Sequence, residues 1–219
     1  MPHADSSYFG AGNGSKSEVY TQVLEQARGL VYDQRNWVRS SPHILTPYIP
    51  PLSLPIHQLT TPSTTNSNFS NVASLLWHAY AALPAPSSSV NWAGFYIRQD
   101  KFPVLGGAPP SEEDSNKKPV LLLGPFQGRP ACQEIRFGRG VCGTAAEKRE
   151  TVVVPDVENF PGHIACDASS RSEIVVPILS KGETVAIIDI DCAEPNGFDD
   201  EDKKYLEELA ALLAECCDW

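Results

Sequence analysis

The chain is short of positive charge. Its 219 residues carry 17 Lys and Arg against 27 Asp and Glu, a formal net charge of −10. A nucleic acid or an anionic membrane needs a basic face for its phosphates, so neither is an expected partner. Long apolar runs are missing as well. No stretch approaches the roughly 20 apolar residues that span a bilayer. The opening residues, MPHADSSYFGAGNG, have no basic segment followed by an apolar one, so no secretory signal is read there. The expected compartment is the cytoplasm, with the nucleus also open to it. In that compartment six cysteines do not make a disulfide framework; redox chemistry, metal binding or plain burial remain. What is present is ordinary for a globular protein: 42% apolar residues and length enough for one sizeable core.

Taken in order, residues 1–15 are small and polar and are expected to be disordered. Ser17 to Leu30 has Val19, Val23, Leu24, Ala27 and Leu30 at helical spacing, with Ser17 as its cap. Residues 40–68 hold six prolines among many Ser and Thr, without a sustained period, and read as an insertion or linker. Asn71 to Leu83 reads as a helix capped by Asn71. Val90 to Ile97 reads as a strand, 99–118 as a long polar loop, and Val120 to Leu123 as a strand ended by a Gly124-Pro125 turn. A strand over Ala131–Phe137, a glycine loop over Gly138–Gly143, a short helix over Thr144–Arg149 and a strand over Thr151–Val154 follow. Asp199 to Cys217 is an amphipathic helix with acids in its first turn, which suits the helix dipole. The strand connections are too short for parallel crossovers. The expected fold is α+β, an antiparallel sheet of about six strands with helices packed mainly on one face.

The most informative stretch runs from Asn159 to Asp191. A loop carries Cys166; then Glu173 opens an apolar run that turns at Lys181-Gly182 into a second run ending in Asp189 and Asp191. Strand side chains alternate between faces, so the two aspartates share one face and Ile188 and Ile190 the other. Carboxylates so close are costly unless they bind a cation or share a proton; solvated strand-end acids are the plainer alternative. Trp92 and Tyr96, four apart in a strand, share a face as core or as two walls of a small apolar pocket. Cys132, Cys142 and Cys166 all fall near loops or strand ends. A thiol at a helix start has its thiolate stabilised, and three in one half of a domain suggest a nucleophile with resolving partners. Cys192 should face away from the acids, and Cys216 and Cys217 read as apolar or surface thiols. Zinc on His163, Cys166, Cys132 and Cys142 is disfavoured by the ligand spacing, and no metal is expected. Gly138 to Gly143 fits G-x-G-x-x-G, but the helix after it is too short for a dinucleotide site, so the glycines are read as turn geometry and close backbone approach.

The segments NWAGFY (91–96), LGPFQGRPAC (123–132), FGRGVCGTAA (137–146), VVPDV (153–157), FPGHIACDA (160–168), SEIVVPI (172–178) and IDIDC (188–192) resemble the free methionine-(R)-sulfoxide reductases, a family of GAF-domain enzymes. The resemblance covers 17–38 and 69–217; the stretch near 40–68 and the long loop at 99–118 depart from it. It implies a single GAF domain over 16–219 and reduction of free L-methionine (R)-S-oxide to L-methionine. It implies Cys166 as the nucleophile that becomes a sulfenic acid, and Cys132 as its resolving partner, with Cys142 an alternative resolving thiol or the nucleophile itself. Glu173, Asp189 and Asp191 would hold the ammonium and protonate the sulfoxide oxygen. Trp92 and Tyr96 would wall the methyl, and the backbone N–H groups of Ile164, Ala165 and Cys166 would hold an anionic oxygen. No bound cofactor is expected; electrons come from thioredoxin and NADPH. A homodimer is the expected assembly. The competing class is a non-catalytic GAF sensor of a small molecule or of oxidant.

Overall fold

A computed structural model of the chain describes residues 9, 14–31, 67–102, 118–162 and 168–219. Among them it forms α1 (Lys16–Val31), α2 (Ser67–Ala81), β1 (Val90–Arg98), β2 (Val120–Gly128), β3 (Glu134–Arg136), α3 (Gly140–Lys148), β4 (Val152–Val154), β5 (Ser172–Ser180), β6 (Glu183–Cys192) and α4 (Asp200–Cys216). The strands make one antiparallel sheet in the order β3-β2-β1-β6-β5-β4. The Pro-rich stretch and most of the 99–118 loop lie outside the described residues. No described helix is long and apolar enough to cross a membrane.

β5 and β6 form a hairpin through Lys181 and Gly182, both at positive φ (52° and 78°), the backbone that a two-residue turn with strand-matching twist requires. Along β6 the side chains divide the molecule. Ala186, Ile188, Ile190 and Cys192 enter the larger core beneath α1, α2 and α4. Ile187 enters the smaller core on the other face, where α3 supplies Val141, Cys142, Ala145 and Ala146. Three helices thus cover one face and one short helix the other. Full burial of side chains such as Phe69, Leu76, Ile188 and Ile190 stabilises by roughly 1.5–3 kcal/mol each.

The helical layer is tied by polar groups. The Asp202 carboxylate is wholly buried; it accepts from Tyr20 Oη at 2.8 Å and Tyr80 Oη at 3.2 Å, and from Lys16 Nζ at 2.6 Å. Tyr20 and Tyr80 hydroxyls also bond each other. One carboxylate therefore fastens α1 and α2 to α4. Asp199 caps α4 and accepts from the amides of Glu201 and Asp202, while Asp202 reaches back to the Asp199 amide.

Several element boundaries differ from the sequence reading. The cap of α1 is Ser15, in a reciprocal pair with Glu18; Ser17 lies inside the helix, its hydroxyl 2.6 Å from that of Tyr205. α2 starts at Ser67, so Asn71 is interior rather than a cap. β2 continues through Gly124 and Pro125 to Gly128. There β3 no longer pairs with it, and a proline is tolerated because no ladder donor is needed at an open edge. The strand placed at 131–137 is only Glu134–Arg136, leaving Cys132 in the preceding loop. α3 starts at Gly140 and takes in Cys142 and Gly143, where the sequence pattern predicts a glycine loop. Gly143 permits this: a Cβ there would sit 2.3 Å from the Arg136 carbonyl oxygen.

Candidate active site

The sheet register assembles the site. Trp92 on β1 pairs with Asp191 on β6, and Asp191 pairs with Glu173 on β5. One row across three strands therefore carries an indole and two carboxyls. Asp189, two residues along β6, lies on the same face opposite Gly94 and Val175. α3 crosses above them and lowers Cys142 onto the acids, its Sγ–H donating to Glu173 Oε1 at 3.6 Å. The residues enclose a cavity of about 280 Å³, small for a ligand pocket and suited to a molecule of amino-acid size. Its lining includes Trp92, Tyr96, Cys132, Cys142 and all three acids.

The aromatic wall is built in layers. Trp92 stacks on Phe126 at 5.2 Å between centroids and on Tyr96 at 5.8 Å. Gly94 makes the stack possible, because a Cβ there would meet Phe126 Cβ at 2.3 Å. Tyr96 donates its hydroxyl to the Cys132 carbonyl at 3.1 Å, tying the wall to the cysteine loop. Burial raises the Tyr96 pKa, so the hydroxyl keeps its proton. Trp92 is only 3% exposed, yet its Nε1–H has no hydrogen-bond partner among the described residues. The same holds for Asp189 Oδ1. An unpaired buried donor and an unpaired buried acceptor on the lining of one cavity are each costly in an apo protein and useful to a ligand.

The electrostatics run in one direction. Burial pushes the Asp189 carboxyl up to about 7, against the pull of hydrogen bonds with Cys142 and Glu173. Burial, then the charges of Asp189 and Asp191, hold the Glu173 carboxyl well above the usual range. The cluster retains at least one proton near neutrality, available to a ligand oxygen. Burial and the same acids also push the Cys142 thiol well above its ordinary value. This overturns the expectation that the helix start activates that thiol. The first turn of α3 does face the cavity, but desolvation and three carboxyls outweigh a helix dipole worth about 1 kcal/mol.

Every described candidate residue lies on this cavity: Trp92, Tyr96, Cys132, Cys142, Glu173, Asp189 and Asp191. Ile164, Ala165 and Cys166 lie outside the described residues, as does His163. Cys132 is disulfide-bonded. Cys192 faces the helical core, as strand alternation requires. Residues that the sequence reading missed include Arg136 and Arg139, exposed side chains at the cavity mouth, and Ser170. No periodicity marks them: Arg136 and Arg139 flank Phe137 and Gly138 in a stretch whose sequence signal is its glycines.

Residues 92–216 match the family model for the GAF domain. The chain is 43% identical over 216 residues to the free methionine-R-sulfoxide reductase of Saccharomyces cerevisiae, spanning 98% of this chain and 94% of that one. It is 42% identical over 126 residues to the protein of that name from Escherichia coli, covering 58% and 66% of the two chains. Its fold is similar to the X-ray structure of free methionine-R-sulfoxide reductase from Neisseria meningitidis in complex with its substrate, with a TM-score of 0.68 and 32% identity over 99% of this chain and 95% of that one. The acid cluster, the aromatic wall and these likenesses converge: the chain belongs to the free methionine-R-sulfoxide reductases, a GAF-domain family of oxidoreductases that act on a sulfoxide.

Proposed function

We propose that this protein reduces free L-methionine (R)-S-oxide to L-methionine with cysteine thiols as the reductant. The observation that carries the reading is the buried, proton-retaining acid cluster of Glu173 and Asp189 facing the Trp92–Tyr96 wall across one small cavity. A sulfoxide is a polar S–O group on a small thioether. It asks for an apolar slot, a proton for its oxygen and a nucleophile for its sulfur. Trp92 and Tyr96 supply the slot. Glu173 and Asp189 supply the proton. Asp191, less buried than the other two acids, takes the substrate ammonium, and Arg136 and Arg139 attract its carboxylate. Backbone N–H groups of Ile164, Ala165 and Cys166 hold a substrate oxygen.

The nucleophile is Cys166. Its sulfur attacks the sulfoxide sulfur, the oxygen is protonated and passes to the cysteine, and methionine leaves. Sulfoxide plus thiol becomes thioether plus sulfenic acid, with two electrons moved from cysteine to substrate sulfur. The Cys132 thiol then condenses with the sulfenic acid, releasing water and forming the disulfide. Cys132 is favoured over Cys142 for this step because it is disulfide-bonded here, whereas Cys142 is a buried thiol held protonated by its neighbours. A thioredoxin-type dithiol, supplied ultimately with electrons by NADPH, reopens the disulfide, and no bound cofactor takes part. Such a cycle belongs in a reducing compartment, the cytoplasm.

The test is single-turnover chemistry on the reduced protein with each sulfoxide stereoisomer. Cys166→Ser should form no methionine, while Cys132→Ser should form one equivalent and stop. Normal turnover by Cys166→Ser, or equal use of both stereoisomers, refutes the assignment. A non-catalytic sensor would consume no NADPH when free sulfoxide and thioredoxin are added.

A further inference from the structure

The meeting of Cys142, Glu173 and Asp189 has a second chemical meaning. The three side chains come from α3, β5 and β6, all three are buried, and one donor atom of each lies within 4.8 Å of the others. A thiolate and two carboxylates make a donor set for borderline cations of the zinc class. The spacing agrees. With Zn–S near 2.3 Å and Zn–O near 2.0 Å, a tetrahedral centre separates sulfur from oxygen by roughly 3.5 Å; Cys142 Sγ and Glu173 Oε1 stand 3.6 Å apart. A separate observation also asks for a cation. Asp189 is 6% exposed, and its Oδ1 has no hydrogen-bond partner among the described residues. An orphaned buried carboxylate oxygen is the least satisfied acceptor a cavity can offer a metal.

From these placements we infer that Cys142, Glu173 and Asp189 form a binding site for a zinc-class divalent cation, three protein ligands with the fourth position facing the cavity. Three ligands and an open position resemble the geometry of reactive rather than structural zinc sites. Here the cation occupies the place proposed for the sulfoxide oxygen, so the metal-bound protein excludes substrate. The metal site itself does not depend on the proposed reaction; only the exclusion rests on that reading. The strands that carry Glu173 and Asp189 are rigid and paired along their length, so binding asks only for loss of protons and small rotamer changes.

The probe is cadmium, whose thiolate complex absorbs in the ultraviolet, followed by zinc in competition. The full-length protein is used with its Cys132 disulfide intact, so that Cys132 contributes no thiolate. A Cys216→Ser/Cys217→Ser background removes the adjacent C-terminal thiols. The expected result is one thiolate–cadmium band per chain, displaced by zinc and absent in Cys142→Ser. Asp189→Asn should weaken zinc by about a hundredfold, at least what loss of a supporting contact costs a metal site. A band of full strength in Cys142→Ser, or unchanged zinc affinity in Asp189→Asn, overturns the site. The Asp189→Asn arm decides alone where Cys142→Ser does not fold. Failure of the metal-free protein to reduce sulfoxide would sink the proposed reaction and leave this titration untouched.

Discussion

Replacing Asp189 by Asn should make the protein more stable above neutral pH while removing its proton donor. Asp189 is buried, and its carboxyl is pushed from 3.8 up to about 7 by burial. The sign follows from proton counting. Between those two values the folded chain keeps the Asp189 proton and the unfolded chain has lost it, so rising pH favours the unfolded state. The penalty is absent below the unfolded value, grows through the interval and is complete once pH exceeds the folded value. A gap of about three pH units corresponds to about 4 kcal/mol. Between pH 5 and pH 8 the parent should lose about 3 kcal/mol through this group, and Asp189→Asn should lose none of it. Some of the gain is spent on the hydrogen bonds with Cys142 and Glu173, which an amide replaces imperfectly. Urea unfolding of both proteins at the two pH values, with the Cys132 disulfide kept closed, measures the difference. Parallel pH dependences in parent and variant would refute the claim that this carboxyl is strained by its site.

Trp92→Phe keeps the stack on Phe126 and Tyr96 but deletes the orphaned Nε1–H. Its stability should be unchanged or higher, while kcat/KM falls about tenfold if that donor serves the substrate; an unchanged kcat/KM removes Trp92 Nε1 from the binding groups. Gly94→Ala should cost about 3 kcal/mol or more, because its Cβ drives into the Phe126 backbone, and the melting temperature and Trp92 fluorescence should report it together. Asp202→Ala should cost about 3–5 kcal/mol by stranding Tyr20, Tyr80 and part of the Lys16 charge, read by denaturant midpoint with the site chemistry intact after correction for folded fraction.

Much of the site could be read from strand alternation. The hairpin of β5 and β6, the shared face of Asp189 and Asp191, the opposed face of Cys192 and the pairing of Trp92 with Tyr96 all follow from a period of two, which holds wherever no bulge interrupts the strand. Helix starts were less legible. Ser67 lies at the end of a Ser- and Thr-rich run where any of several residues would cap, and Ser15 competes with Ser17 within one turn. Gly124-Pro125 looks like a turn in isolation; β2 continues as a strand because β1 pairs with it as far as Gly128, and the proline is tolerated because β3 has ended on its other edge. The chemical state of Cys142 was out of reach, since the local helix start argues for a thiolate and only the distant acids of β5 and β6, folded beneath it, argue for a thiol. The orphaned atoms on Trp92 and Asp189 and the arginines at the mouth are matters of three-dimensional proximity that no spacing in the chain announces.

The double duty of β6 has a consequence for how the protein can change. From Ala186 to Cys192 the even-numbered positions hold the oily layer under three helices, and the odd-numbered Ile187, Asp189 and Asp191 face the cavity side. Deleting or inserting a single residue between Ala186 and Asp189 would thrust two aspartates into hydrocarbon and turn isoleucines toward the cavity, losing fold and chemistry in one event. Drift in length is therefore confined to connecting segments, and this one strand is the ruler against which the rest of the chain must keep its measure.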